Sequence, residues 1–197
     1  MNAKNDLSRR VMLAAPAVLS LSTGTTACAD GAEATRGGAS NTLVAYFTRS
    51  GNTRVIAGTI QRMLGADLFE IRALHPYPED YEATVEQARR ERDSGYEPAL
   101  AATVPEISAY DTVFLGFPIW GETAPPVIRS FLRAHDLAGK TLRPFITHGG
   151  YGLGSSRAVL AELAPRARIA PPFFMEADQE RRTLDQVRTW LGAAKSR

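Results

Sequence analysis

From residue 42 onward, short continuous apolar runs alternate with segments in which apolar residues recur every three or four positions. The runs "TLVAYF" (42–47), "DLFEI" (67–71), "DTVFLGF" (111–117), "TLRPFITH" (141–148) and "ARIAPPFF" (167–174) have the length of strands. Their largely unbroken apolar character suits strands covered on both faces. Pro171 and Pro172 remove two backbone donors from the fifth run, which marks it as an edge strand.

Between the runs lie helical stripes. Ile56, Ile60, Met63 and Leu64 follow i, i+4, i+7 and i+8. Val127, Ile128, Phe131 and Leu132 form a second stripe behind Pro125 and Pro126, Val159, Leu160 and Leu163 a third, and Leu184, Val187 and Leu191 the last. The segment "YEATVEQARRERD" (81–93) has a thinner apolar face and more charge. These stripes read as core rather than as ligand contacts. "EPALAATVPEIS" (97–108) reads as a loop. Five strands alternating with five helices predict an α/β fold, a doubly wound parallel sheet with helices on both faces.

Composition narrows the function classes. The chain's 197 residues suit one ordinary domain. A net charge of +2 gives no long-range steering toward nucleic acid or another charged partner. Cys28 is the only cysteine, so neither an intrachain disulfide nor a cysteine metal cluster is available.

The first residues read as an address. Lys4, Arg9 and Arg10 precede "VMLAAPAVLSL", an apolar run of 11 residues. A membrane-spanning helix needs about 20. Basic start, short apolar centre and small residues predict a secretory signal over 1–29, and "SRRVML" gives it twin-arginine character. Two processing sites remain open. "TTAC" resembles a lipoprotein box that would lipidate Cys28, with Thr25 where leucine is usual; "ACA" fits an ordinary cut after Ala29. A single acyl chain anchors weakly. Residues 30–41, rich in Gly, Ala and Ser, read as a flexible linker, and 42–197 as the folded domain. The expected location is therefore periplasmic, either free or tethered through Cys28.

The densest candidate chemistry is "TRSGNT" (48–53), between the first strand and the first helix. In a doubly wound sheet, ligands bind at the carboxyl ends of strands where the strand order reverses. A helix starting near Thr53 presents unpaired N–H groups and a partial positive charge, which suits a phosphate. Gly51 permits a tight turn, and Thr48, Ser50, Asn52 and Thr53 offer side-chain donors. A simple helix cap would need only one of them. Neither the nucleoside-triphosphate loop G-x-x-x-x-G-K-[ST] nor the dinucleotide fingerprint G-x-G-x-x-G is present there.

"TRSGNT" after "LVAYF" resembles the phosphate loop of the flavodoxin family, [ST]-x-[ST]-G-N-T. "HPYPEDY" (75–81), "GFPIWGETAPP" (116–126) and "GKTLRPFITHGGYGLGSS" (139–156) resemble the same family. The resemblance covers about 42–194 and implies a flavodoxin-like strand order 2-1-3-4-5 with FMN as cofactor. Thr48, Ser50, Gly51, Asn52 and Thr53 match the phosphate pattern, with Arg49 at its free position. Two loops would then enclose the flavin ring. Pro118, Ile119, Trp120 and Gly121 belong to one, and His148, Gly149, Gly150 and Tyr151 to the other. Trp120 and Tyr151 match the aromatic positions, and planar side chains suit stacking on a flavin. Gly121 would allow a backbone flip beside the ring. His148 stands where the resemblance implies a small hydroxyl residue. It reads either as a tuning group for reduced flavin or as a strand-end histidine bonded to backbone. Trp190 reads as packing, and His75 and His135 as loop and surface residues.

The resemblance implies a redox protein that passes electrons to a partner or to a small acceptor such as a quinone. A flavin-free binding module that kept the fold is the alternative. A serine hydrolase is disfavoured, since no G-x-S-x-G elbow occurs. NAD(P)H is scarce outside the inner membrane, so export favours a membrane or periplasmic redox partner. No metal site is expected.

Overall fold

The computed structural model describes residues 41–176 and 180–195. The expected signal segment, Cys28 and the linker up to residue 40 lie outside them.

The elements run β1 (Thr42–Tyr46), α1 (Asn52–Leu64), β2 (Asp67–Glu70), α2 (Tyr81–Ser94), β3 (Thr112–Pro118), α3 (Pro126–Ala134), β4 (Thr141–His148), α4 (Ser156–Leu163), β5 (Arg168–Ile169), β6 (Phe173–Glu176) and α5 (Glu180–Lys195). The sheet is parallel with order β2-β1-β3-β4-β5, and β6 also pairs with β4. Six strands therefore replace the five expected. The fifth run is split: Arg168 and Ile169 pair with Thr141 and Leu142, and Phe173–Glu176 with Phe145–His148. Pro171 and Pro172 fall in the gap, where their missing donors break the ladder.

Period-two alternation feeds two cores. Leu43, Ala45, Val113, Leu115 and Phe117 join Val127, Ile128 and Phe131 of α3 and Val159 and Leu160 of α4. Val44, Tyr46, Phe114 and Phe145 join Ile56 and Ile60 of α1 and Val187 and Leu191 of α5. Side chains such as Ile60, Phe131 and Phe145 are fully buried, each contributing roughly 1.5–3 kcal/mol. Trp190 packs as expected, stacked on Phe173 and edge-on to Phe114.

Three expectations need correction. Met63 is exposed, not part of the α1 stripe's core. His135 is not a surface residue. It is buried, its Nε2 accepting from the Val104 N–H at 2.9 Å and its Nδ1 2.8 Å from the Phe131 carbonyl. The first bond fixes the proton on Nδ1, so Nδ1 donates to Phe131. Burial pushes the His135 pKa down, which keeps the ring neutral.

The third concerns α2. Among the described residues no α2 side chain belongs to either core. Its buried residues are Thr84, Ala88 and Glu91, two of them polar. Polar bonds hold it instead. Thr84 Oγ1 donates to the Pro78 carbonyl at 2.6 Å, and Glu91 accepts from Tyr77 Oη at 2.7 Å and from Gln87 Nε2 at 2.8 Å. Helices cover both faces, α1 and α5 on one and α3 and α4 on the other, and α2 lies against α3.

Candidate functional site

The carboxyl ends of β1, β3 and β4 open onto one cavity of about 630 Å³. Arg49 and Ser50 come from the loop after β1 and Asn52 from the first position of α1, Pro118 from the end of β3 with Ile119, Trp120 and Gly121 from the loop after it, and His148 from the end of β4 with Gly149 and Tyr151 from the loop after it. Parallel register places these loops side by side. Tyr46, the last residue of β1, is level with Gly116 of β3, and Pro118, the last of β3, with Thr147 of β4, so each strand reaches slightly beyond the one before it.

The loop after β1 is built to leave the α1 terminus open. Gly51 is the N-cap, with φ 94° in the left-handed region, and no side chain caps the helix. The Thr48 hydroxyl accepts from the Gly51 N–H at 3.0 Å and shapes the turn. Serine, threonine and asparagine here thus do not act as an N-cap. Thr53 is buried, its hydroxyl 3.0 Å from that of Thr147. One of those two hydroxyl protons is used between them, so the pair retains one to offer. Arg49 points away from the α1 terminus. It donates to the Glu79 carbonyl at 2.9 Å and lies over the Tyr81 ring at 5.3 Å. Thr48 lines a neighbouring cavity of about 580 Å³, which shares Arg49 and Trp120 with the first.

The loop after β3 is a tight hairpin. Trp120 and Thr123 exchange both backbone bonds, at 3.0 and 3.2 Å, around Gly121 (φ 54°) and Glu122 (φ 63°). Two consecutive positive φ values describe a type I′ turn. Glycine suits this; glutamate does not, and left-handed backbone costs a non-glycine residue roughly 1–2 kcal/mol. The entry to α4 holds it there. Ser155 N–H donates to the Glu122 carbonyl at 2.8 Å and its hydroxyl to Thr123 Oγ1 at 2.9 Å. Gly154 sits so close that a Cβ would fall 1.9 Å from that carbonyl. Glu122 lines the cavity, and sequence reasoning missed it. From the other side Arg92 Nη1 approaches the Gly121 carbonyl at 3.4 Å.

Aromatic side chains stand at the expected positions but differ in setting. Trp120 is half-buried and edge-on to Phe47 and Tyr77, with centroids 5.1 and 4.9 Å apart. It packs against the core and lines the cavity at once. Burial and the Glu91 carboxylate push the Tyr77 pKa far up, so its hydroxyl stays protonated and donates to Glu91. Tyr151 is 79% exposed at the rim. His148 Nδ1 accepts from the Gly150 N–H at 3.1 Å, the backbone bond of the second reading. Gly150 itself does not line the cavity.

The remaining wall was not expected. Tyr81, Thr84, Val85, Ala88, Arg89 and Arg92 of α2 all border the cavity. Their spacing is one continuous helical face. The signal was available as the pairing of exposed apolar residues with arginines on that face, but nothing in the spacing said what the face would meet.

A family model described as Flavodoxin matches residues 41–193. Among solved structures, a protein from Bacteroides eggerthii assigned as a flavoprotein is 32% identical with a TM-score of 0.66, covering 77% of this chain and 96% of that one. A second such protein, from Bacteroides uniformis, is 27% identical with a TM-score of 0.69, over 78% and 98%. A flavoprotein from Lactobacillus acidophilus, solved in complex with FMN, shares the fold at 20% identity with a TM-score of 0.60, over 73% and 97%. No curated protein matches the chain.

Proposed function

We propose, from the premise that this chain belongs to the flavodoxin family, that it binds FMN in the 630 Å³ cavity and passes electrons to a partner or to a small acceptor such as a quinone. The observation that carries this reading is the convergence of three loops on that cavity beside an uncapped helix terminus.

The residues present fit the group. The open first turn of α1, with Gly51 in the left-handed region, offers backbone donors and a partial positive charge to the phosphate. Ser50 and Asn52 border the same cavity, and the Thr53–Thr147 pair fixes the turn from beneath. Trp120 and Tyr151 flank the space for the ring. Trp120 is held rigidly by Phe47 and Tyr77, whereas Tyr151 is free to adjust. Bound FMN supplies the electron chemistry, and the protein supplies binding, orientation and the electrostatic setting. The hairpin at 120–123 presents backbone groups to the cavity, and its strained Glu122 leaves it close to alternative conformations. The His148 ring is oriented by the Gly150 N–H.

The reading extends to export. The twin-arginine character of "SRRVML" supports a protein folded around its cofactor before transport, with a periplasmic location, tethered or not through Cys28. Arg9→Lys with Arg10→Lys should then leave the protein in the cytoplasm on fractionation; continued export would contradict it.

FMN titration of residues 41–197, followed by flavin fluorescence, tests the central claim. One-to-one quenching is expected. It should weaken at least roughly tenfold in Trp120→Ala, and similarly in Ser50→Ala combined with Thr53→Ala, each change removing on the order of 1–2 kcal/mol of contact. Absence of saturation would sink the reading. Saturation without reversible reduction would instead mark a binding module that kept the fold.

A further inference from the structure

The cavity carries an excess of cationic side chains. Arg49, Arg89 and Arg92 line it against a single carboxylate, Glu122. The expected phosphate position, at the start of α1, uses backbone and hydroxyl donors, and Arg49 is turned from it toward Glu79 and Tyr81. The other two guanidiniums belong to α2, one helical turn apart.

Their placement is specific. Arg92 reaches the turn that closes the cavity, donating toward the Gly121 carbonyl at 3.4 Å, with Asp93 as its carboxylate partner at 2.9 Å. Arg89 is exposed and, among the described residues, pairs only with Glu86 on the same helix, at 2.8 Å. Such a surface pair between two mobile side chains is weak and readily gives way to a ligand. Between the arginines and the α2 N-terminus the same face shows Tyr81, 62% exposed, and Val85, 44% exposed. The face therefore combines an apolar strip with cations, and it faces a space bordered by Trp120 and Tyr151 on other elements. It is unused by either core.

We propose that α2 forms the wall of a second subsite in this cavity, which takes an aromatic anion, a carboxylated or sulfonated ring, beside the flavin. Val85 and Tyr81 contact the ring, and Arg89 and Arg92 receive its charge. The inference rests on the FMN reading and names the class of acceptor that the same site admits.

The test is calorimetric titration of the FMN-saturated protein with naphthalenesulfonate and with the uncharged naphthalenemethanol, neither of which exchanges electrons with flavin. The sulfonate is expected to bind one per protein and roughly tenfold more tightly than the alcohol, an advantage that shrinks as salt is raised. Arg89→Gln should reduce that ratio severalfold, and Arg89→Glu should reverse it. Arg89 is exposed and bonded to Glu86 on its own helix, so both variants are expected to keep the fold, which far-UV circular dichroism checks; Arg92→Gln provides a second charge removal nearer the turn. Equal binding of the two probes, or no binding of the sulfonate to FMN-saturated protein, overturns the proposal. So does an Arg89→Gln variant that loses FMN affinity as strongly as sulfonate affinity, since α2 would then serve the flavin itself. Flavin fluorescence reads FMN saturation separately: failure there defeats the FMN reading and this inference together, whereas failure at the probe stage defeats this inference alone.

Discussion

The helices α1 and α2 each follow a strand and have nearly the same length, 13 and 14 residues, yet they are used in opposite ways. α1 buries Ile56 and Ile60 in a core and leaves its N-terminus without a side-chain cap. α2 closes its N-terminus with Asp80, whose carboxylate accepts from the Ala83 N–H at 2.8 Å, and puts no side chain into either core. In α1 the sides hold the fold together and the end opens onto the cavity. In α2 the end is satisfied internally and the side borders the cavity. A helix anchored by its flank can leave its terminal N–H groups exposed for an anion, because packing rather than capping keeps it formed. A helix without that anchorage needs its cap.

The comparison predicts unequal costs of substitution. Ile60→Ala empties a fully buried position and should lower unfolding free energy by about 2–5 kcal/mol, read as the midpoint shift in urea denaturation. Global unfolding should follow, since the position lies between α1 and the sheet. A loss below about 1 kcal/mol would mean that this core is loosely packed and that α1 is not anchored by its flank.

Much of this contrast was hidden from sequence reading, for physical reasons. A hydrophobic stripe reports how much apolar area a helix buries and leaves open what it is buried against. Ile56 and Ile60 were legible because their partners are the sheet itself. Met63 shares their spacing but sits at the stripe's edge, exposed. The thin face of 81–93 was legible as thin, but its position over the strand ends depends on Tyr77–Glu91 and Thr84–Pro78 bonds that no periodicity encodes. The burial of His135 is hidden from the sequence for the same reason. The flanking Arg133 and Asp136 are charged, and the burial depends on Val104, 31 residues earlier. The phosphate-loop candidates were locally legible because a strand, a glycine turn and a helix start are consecutive in the chain. Glu122 was not. Nothing marks a glutamate for left-handed backbone except the α4 entry that holds it, which lies more than thirty residues away.

A smaller change sharpens the comparison from the other side. Asp80→Ala removes the cap of α2 and should weaken that helix by about 1 kcal/mol. Because α2 joins neither core, the loss should be local. Hydrogen exchange of α2 amides should speed up roughly fivefold, the factor that corresponds to about 1 kcal/mol, while amides of β1, β3 and β4 keep their protection. The urea midpoint should move little, since global unfolding is governed by the two cores. Fraying of α2 would also loosen the wall that carries Arg89 and Arg92, so any ligand held there should dissociate faster. If instead the strand amides lost protection together with those of α2, the helix would be part of the cooperative unit. Its distance from both cores would then be a matter of side-chain contact only, with the polar bonds of Tyr77, Thr84 and Glu91 coupling it to the sheet as firmly as apolar packing couples α1.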